Sequence, residues 1–269
     1  MTVLITKMNG EQEAFDSRKL DISLTRAGAE KEVRDIVVKK IEETIRDGMT
    51  TQEIYEHAFE LLRKATSEPT AARYSIKRAV LDLGPSGFPF ERFMGEVFRA
   101  VGYTKVRVGV AMQGKCAPHE VDLTAEHSGK RIAAEIKFHN SLGIKTDLKV
   151  ALYVRARFDD LKDQIDQGWL ITNTRFTRNA IRYSKCAGMQ MLGWDYPNGN
   201  GIEKLVDKAH VHPITALTTL SKSDKKKLLD NDVVLCSHIV KNPELLRHAG
   251  IHGNTDVIMH EAIGLCKIK

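Results

Sequence analysis

The 269-residue chain is poor in aromatics, with Phe, Trp and Tyr together making 6%, and it has only four cysteines. No apolar run approaches the roughly 20 residues needed to span a bilayer, so no membrane partner is expected. Cys116, Cys186, Cys236 and Cys266 stand far apart and form no CxxC pair. That spacing excludes a zinc ribbon, and a disulfide framework is not expected in a chain of this size. Cys116 and His119 form a CxxH, but no second ligand pair follows nearby. There is no GxxxxGK[ST] phosphate loop, so ATP hydrolysis of the P-loop kind is not supported. The segment from Met1 to Lys7 lacks the apolar core and small-residue cleavage site of a signal peptide, and a cytoplasmic location is the expectation. Repeats and low-complexity tracts are absent as well.

What is present suffices for packed cores. Hydrophobic residues make 42% and charged residues 28%, and the length suits two or three domains. A net charge of +6 and a pI near 9.0 permit a polyanionic partner without requiring one.

Three segments differ in pattern. The first, residues 1–84, reads as a hairpin (Val3-Leu4-Ile5, the Asn9-Gly10 turn, Glu13-Ala14-Phe15) followed by amphipathic helices. In one helix Val33, Ile36, Val37, Ile41 and Ile45 form an apolar stripe that ends at Gly48. Thr50 or Thr51 caps the next, whose Ile54, Ala58, Leu61 and Leu62 face inward. Tyr74 through Leu83 predicts another, and Gly84-Pro85-Ser86-Gly87 then breaks the chain. The second segment, residues 85–200, is α/β. It begins with a helix carrying Phe90, Phe93, Met94, Val97 and Phe98, with strands around 106–110, 121–123 and 132–138. A helix over 147–163, a strand over 169–172, a helix over 177–186 and a closing strand over 189–194 complete a mixed sheet flanked by helices. Residues 201–269 read as helical and basic, with a helix from Ser221 and a helix, turn and helix around Leu245–Ile251.

The chemistry concentrates between His119 and Phe138. Strand side chains alternate faces, so Glu135 and Lys137 point to one side while Ala134, Ile136 and Phe138 point to the other. Two opposite charges framed by apolar neighbours are expensive to desolvate unless a partner compensates. Asp122 lies in the earlier apolar strand Val121-Asp122-Leu123, and Ser128-Gly129 is a turn able to fold the two strands together. Two carboxylates on adjacent strands make a minimal seat for a hard cation such as Mg²⁺ or Mn²⁺. A neighbouring lysine then suits phosphate or water positioning.

The motif Asp122…Glu135-Ile136-Lys137 resembles that of the PD-(D/E)xK nucleases. The surrounding Phe88 to Pro197 resembles the type IV, Mrr-type restriction endonuclease domain. Val121 stands where the stricter pattern has proline. The resemblance implies a restriction-endonuclease-like fold and DNA as substrate, with Asp122, Glu135 and Lys137 catalytic and the first two holding metal. It also makes Glu91, on the first helix, a fourth catalytic residue, ahead of Glu96 and Glu120. Lys145, Lys149, Arg155 and Arg157 either contact phosphates or form a solvated helix face. His139 and Asn140 are cleft candidates.

Val3–Leu20, through Ile5-Thr6-Lys7, Asn9-Gly10, Glu13, Phe15-Asp16 and Lys19-Leu20, resembles the ATP-cone, a nucleotide-binding regulatory domain of ribonucleotide reductases and their repressors. That resemblance implies an ATP or dATP effector, Lys7 and Lys19 on phosphates, and Thr51 near the nucleotide. Tyr55 stands where reductase versions often carry histidine. Residues 245–262 resemble a helix-hairpin-helix, although a helical appendage for oligomer contacts fits equally. His238, His248, His252 and His260 lack metal-ligand spacing. A homo-oligomer is expected, because a double-strand cut needs two active sites. The competing expectation is a nucleotide-responsive DNA-binding regulator with a silent nuclease fold.

Overall fold

The computed structural model describes residues 3–8, 10–66 and 68–266, with the backbone alone at Glu68 and Pro69. It opens with the hairpin β1 (Leu4–Thr6) and β2 (Gln12–Ala14), antiparallel with Leu4 opposite Ala14. Asn9 of the expected turn lies outside the described residues. Helices α1 (Ser17–Arg26), α2 (Lys31–Thr44), α3 (Thr51–Ala65), α4 (Glu68–Tyr74) and α5 (Ile76–Leu81) follow.

Caps set the helix starts. Asp16 accepts from the Arg18 N–H at 3.1 Å. Thr50, rather than Thr51, caps α3: its hydroxyl accepts the Glu53 N–H at 3.1 Å, and its own N–H donates to the Glu53 carboxylate at 2.8 Å. This reciprocal pair satisfies two otherwise unpaired donors. Leu20, Leu24, Val37, Ile41, Ala58 and Leu62 fill the local core. Ile36, expected to face inward, is 54% exposed. Val37 and Ile41, four apart, define the buried stripe, and Ile36 lies about 100° around the helix from Val37.

The second segment begins with α6 (Phe88–Ala100), whose cap Gly87 has φ +86°, a conformation costly for a residue with a Cβ. A five-stranded mixed sheet follows, in the order β3 (Thr104–Gln113), β4 (Pro118–His127), β5 (Lys130–Lys137), β7 (Gln167–Thr172), β9 (Gln190–Leu192). β3, β4 and β5 are antiparallel, while β5, β7 and β9 are parallel. β4 and β5 are joined through Ser128 and Gly129, both at positive φ, as in a two-residue type I′ turn. The parallel steps cross over through α7 (Leu148–Asp160) and α8 (Arg178–Cys186). A small parallel pair, β6 (Lys145–Thr146) and β8 (Arg175–Phe176), sits beside them.

β5 is covered on both faces, which explains its nearly continuous burial from Ile132 to Ile136. Ile132, Ala134 and Ile136 join Phe90, Phe93 and Val97 of α6. Ala133 joins Ala151, Val154 and Phe158 of α7. α7 comes so close that a Cβ on Gly168 of β7 would lie 2.2 Å from Phe158. Gly84 is equally confined, since a Cβ there would meet Phe138 and Asn140 at 2.6 Å.

Helices α9 (Ile202–Ala209), α10 (Lys222–Asp230), α11 (Cys236–Lys241), α12 (Glu244–His248) and α13 (Thr255–Cys266) close the chain. α9 begins directly after the Asn198–Gly201 loop. These helices share one hydrophobic cluster with α6 and the sheet, running from Ala72 to Leu265. Within it the fully buried Glu261 accepts N–H and hydroxyl bonds from both Thr218 and Thr219 at 2.7–3.0 Å. Four donors on one carboxylate compensate its desolvation. Among the described residues, no helix is long and apolar enough to cross a membrane.

Candidate active site

The regular β4–β5 ladder stops at Leu123 opposite Ala134. Beyond it Asp122 uses its side chain instead: Oδ2 accepts the Ile136 N–H at 2.6 Å. The strands therefore part where the acidic residues lie, and a carboxylate replaces a main-chain bond. Glu135, 3% exposed, points to the α7 side. Its Oε1 accepts from Lys137 Nζ at 2.6 Å, and its Oε2 accepts from the Arg157 guanidinium. Arg157 also donates to the Glu120 carbonyl at 2.9 Å and to the Tyr153 hydroxyl at 2.6 Å. Its guanidinium lies 5.1 Å from the Tyr153 ring centre. Arg157 Nε is buried without a hydrogen-bond partner among the described residues.

The electrostatics show crowded negative charge. Burial first, and then the neighbouring Glu135, push the Asp122 carboxyl up to about 6. The Ile136 N–H, Lys137 and Arg157 hold it from rising further. Glu91, in the first turn of α6, is pushed up to about 7 by burial and then by Asp122, Glu120 and Glu135.

A hard divalent cation suits this donor set, which is all oxygen and whose mutual repulsion a cation would relieve. Asp122 and Glu135 are the residues able to hold it. Among the described residues, no three His, Cys, Asp or Glu side chains gather closely enough to cage a metal by themselves. A seat here would have two protein carboxylates, and Glu135 would have to share its oxygens with Lys137 and Arg157.

Over residues 3–82 the sequence matches the ATP cone domain, over 85–195 the Mrr-type restriction endonuclease catalytic domain, and over 212–266 the AF1548-like C-terminal domain. An uncharacterized protein of Archaeoglobus fulgidus is 38% identical over 149 residues, which are 55% of this chain and 84% of that protein. The crystal structure of AF1548, a protein of unknown function, superposes with a TM-score of 0.58 at 32% identity, covering 66% of this chain and 97% of that one. The chain belongs to the AF1548-like family. The DNA modification-dependent restriction endonuclease AspBHI aligns over 60% of this chain and 39% of its own, at 15% identity and a TM-score of 0.36, a likeness too slight to bear on function. In this family member an ATP cone precedes a restriction-endonuclease-like mixed sheet, and helical segments stand at both ends.

The remaining candidates divide by position. Glu120 is exposed on β4, two residues before Asp122, and contributes to the field at Glu91. Glu96 pairs with Arg99 at 2.7 Å on α6. His119 is taken up by Asp160, Nε2 to Oδ2 at 2.8 Å, and Asp160 also accepts the Cys116 and Ala117 N–H groups. Arg155 bonds the Ala187 carbonyl and Asp159, while Lys149 is exposed. His139 is gripped through its backbone by buried Asn173, at 2.8 Å in both directions, and its Nε2 lies 2.9 Å from Thr146 Oγ1. Asn140 donates to the Pro85 carbonyl at 3.4 Å.

In the ATP cone, Lys7 and Thr51 line a cleft of about 450 Å³. Lys19 stands outside that lining and binds Glu13 at 3.2 Å, the same carboxylate that Lys7 binds at 3.0 Å. Sequence reasoning missed the Arg157–Glu135 bond. Its only signal was the four-residue spacing of Tyr153 and Arg157, which places both on one helix face.

Proposed function

We propose that the chain is a Mg²⁺- or Mn²⁺-dependent DNA endonuclease of restriction or defence type, acting in the cytoplasm and controlled by ATP or dATP bound to the N-terminal domain. We assign residues 1–84 to nucleotide sensing, 85–200 to cutting and 201–269 to a helical domain. Asp122 and Glu135 hold the cation, which when bound supplies neutralisation and Lewis acidity at the scissile phosphate. Lys137 leaves one Glu135 oxygen to donate to a phosphate oxygen or to orient the attacking water. Glu91, with a carboxyl near neutrality, accepts a proton beside the reacting group. Lys7, Lys19 and Thr51 serve the nucleotide, and a homo-oligomer brings two such sites to one duplex.

One observation carries this reading: Asp122, Glu135 and Lys137 meet where β4 and β5 part, with Asp122 held by the Ile136 N–H. A module that only binds DNA has no use for this set. The second reading, a nucleotide-responsive DNA-binding regulator with a silent nuclease fold, is favoured by one fact. Glu135 is already neutralised on both oxygens, by Lys137 and Arg157.

Gel shift and cleavage of the same DNA, with Mg²⁺ and with EDTA, separate the two. The nuclease reading expects binding in both and cutting in Mg²⁺ alone; a shift with no cutting under any divalent cation supports the regulator. Calorimetry with ATP and dATP tests the sensor, and no heat with either would remove it.

A further inference from the structure

The cleft that holds Lys7 and Thr51 is not lined by the ATP cone alone. Lys145 of β6 and Arg175 of β8, from the nuclease segment, line it as well, as do Lys77 and Arg78 of α5. Five cationic side chains thus face one cavity, against one lining carboxylate, Glu11. Lys7 is engaged by Glu13 at 3.0 Å, Arg78 by Asp82 at 3.1 Å and Arg175 by Asp195 at 2.8 Å. No carboxylate lies within ion-pair distance of Lys77 or Lys145 among the described residues. Lys77 instead rests 5.8 Å from the centre of the Trp194 ring. Burial, and then the nearby Arg175, lower its affinity for a proton, opposed in part by the more distant Asp195 and Glu203. Lys77 and Lys145 thus lack an ion-pair partner among the described residues, and the phosphates of a polyanion would supply one.

We propose that this cleft is a composite nucleoside-polyphosphate site, in which Lys145 and Arg175 of the nuclease segment and Lys77 and Arg78 of α5 hold the phosphates of a nucleotide shared with the ATP cone. The inference rests on the reading of the N-terminal domain as a nucleotide sensor and adds where the second half of the site lies. A cavity of about 450 Å³ suits a small ligand rather than a duplex. Tyr55, Met8 and Leu142 give it the less polar surface that a base needs.

The location also supplies a route to the cutting site. Lys145 and Arg175 are paired across β6 and β8. Thr146, next to Lys145, bonds His139 at 2.9 Å, and Asn173, two residues before Arg175, clamps the His139 backbone. His139 lies two residues beyond Lys137. A phosphate that fixes the β6–β8 pair therefore acts on the end of the strand that carries Glu135 and Lys137.

The test is calorimetric titration of the full chain with ATP, comparing wild type with Lys145→Gln, Arg175→Gln, Lys7→Gln and the charge control Lys149→Gln, which alters an exposed lysine outside the cleft. Loss of one charge-assisted phosphate contact should weaken binding at least about tenfold in Lys145→Gln and in Arg175→Gln. The Lys149→Gln variant should stay within about twofold, because a distant exposed charge is screened. Wild-type binding that weakens in Lys7→Gln but not in Lys145→Gln or Arg175→Gln overturns the composite site and leaves the sensor reading intact. Equal weakening in Lys149→Gln overturns it in favour of bulk charge. No binding of ATP or dATP by wild type overturns both readings together.

Discussion

If Asp122 is held in place for a cation, removing its charge should stabilise the protein when no cation is present. The folded carboxyl sits at about 6 against an ordinary 3.8. At about 1.36 kcal/mol per unit, its ionised form costs the fold about 2–3 kcal/mol well above pH 6. Since the folded state holds this proton more tightly than the unfolded chain, stability is greatest below 3.8 and falls as pH rises through about 6. Asp122→Asn keeps a side-chain oxygen for the Ile136 N–H and removes the charge. In EDTA at pH 8 the variant should melt about 5–10 °C above wild type, using about 2–4 °C per kcal/mol for a chain of this size. The gap should narrow as pH is lowered through the same window. Mg²⁺ at a hundredfold excess over its Kd should add about 2.7 kcal/mol to wild type and little to the variant. Thermal melts read by circular dichroism, at several pH values with EDTA or Mg²⁺, provide the data. A variant less stable than wild type at pH 8 in EDTA, or an equal Mg²⁺ gain in both proteins, would refute the reasoning.

Three further expectations follow from the same geometry. Lys137→Ala should lower the single-turnover cleavage rate by about 10²–10³ while DNA retention in gel shifts stays within a few fold, as for loss of one positioned donor. Arg157→Gln leaves Glu135, 4% exposed at its side chain, with Lys137 alone, and denaturant melts in EDTA should show a loss of about 3 kcal/mol that Mg²⁺ partly restores. Cleavage in wild type should rise with pH as Asp122, at about 6, and Glu91, at about 7, ionise; Glu91→Gln should remove the upper inflection of that profile if Glu91 is the proton acceptor.

Much of the frame could be read from local pattern, because its determinants are local. The period-two alternation puts Glu135 and Lys137 on one face, and the structure joins them at 2.6 Å. Ser128-Gly129 makes the two-residue turn that its composition suggests. Features set by long-range approach were not legible. Arg157 reaches Glu135 only because α7 lies tightly over Gly168, and nothing in the local sequence measures that distance. The grip of Asn173 on His139 spans 34 positions, and the union of α6 with the C-terminal helices in one core spans more. The cationic cleft draws residues from three parts of the chain, and although Lys7 and Lys145 are each phosphate candidates in the sequence, nothing there places them together with Lys77, Arg78 and Arg175. Ile36 shows the converse limit: it is apolar and close to helical phase, yet it faces solvent because Val37 and Ile41 already define the stripe.

The central claim, that Asp122, Glu135 and Lys137 form a cutting site, is tested most directly by relaxation of supercoiled plasmid with Mg²⁺, comparing wild type with Glu135→Ala over the same range of enzyme concentrations. Nicked or linear product from wild type, with none above background from the variant, is the predicted result. Equal cleavage by the two proteins would contradict it and place any nuclease activity elsewhere.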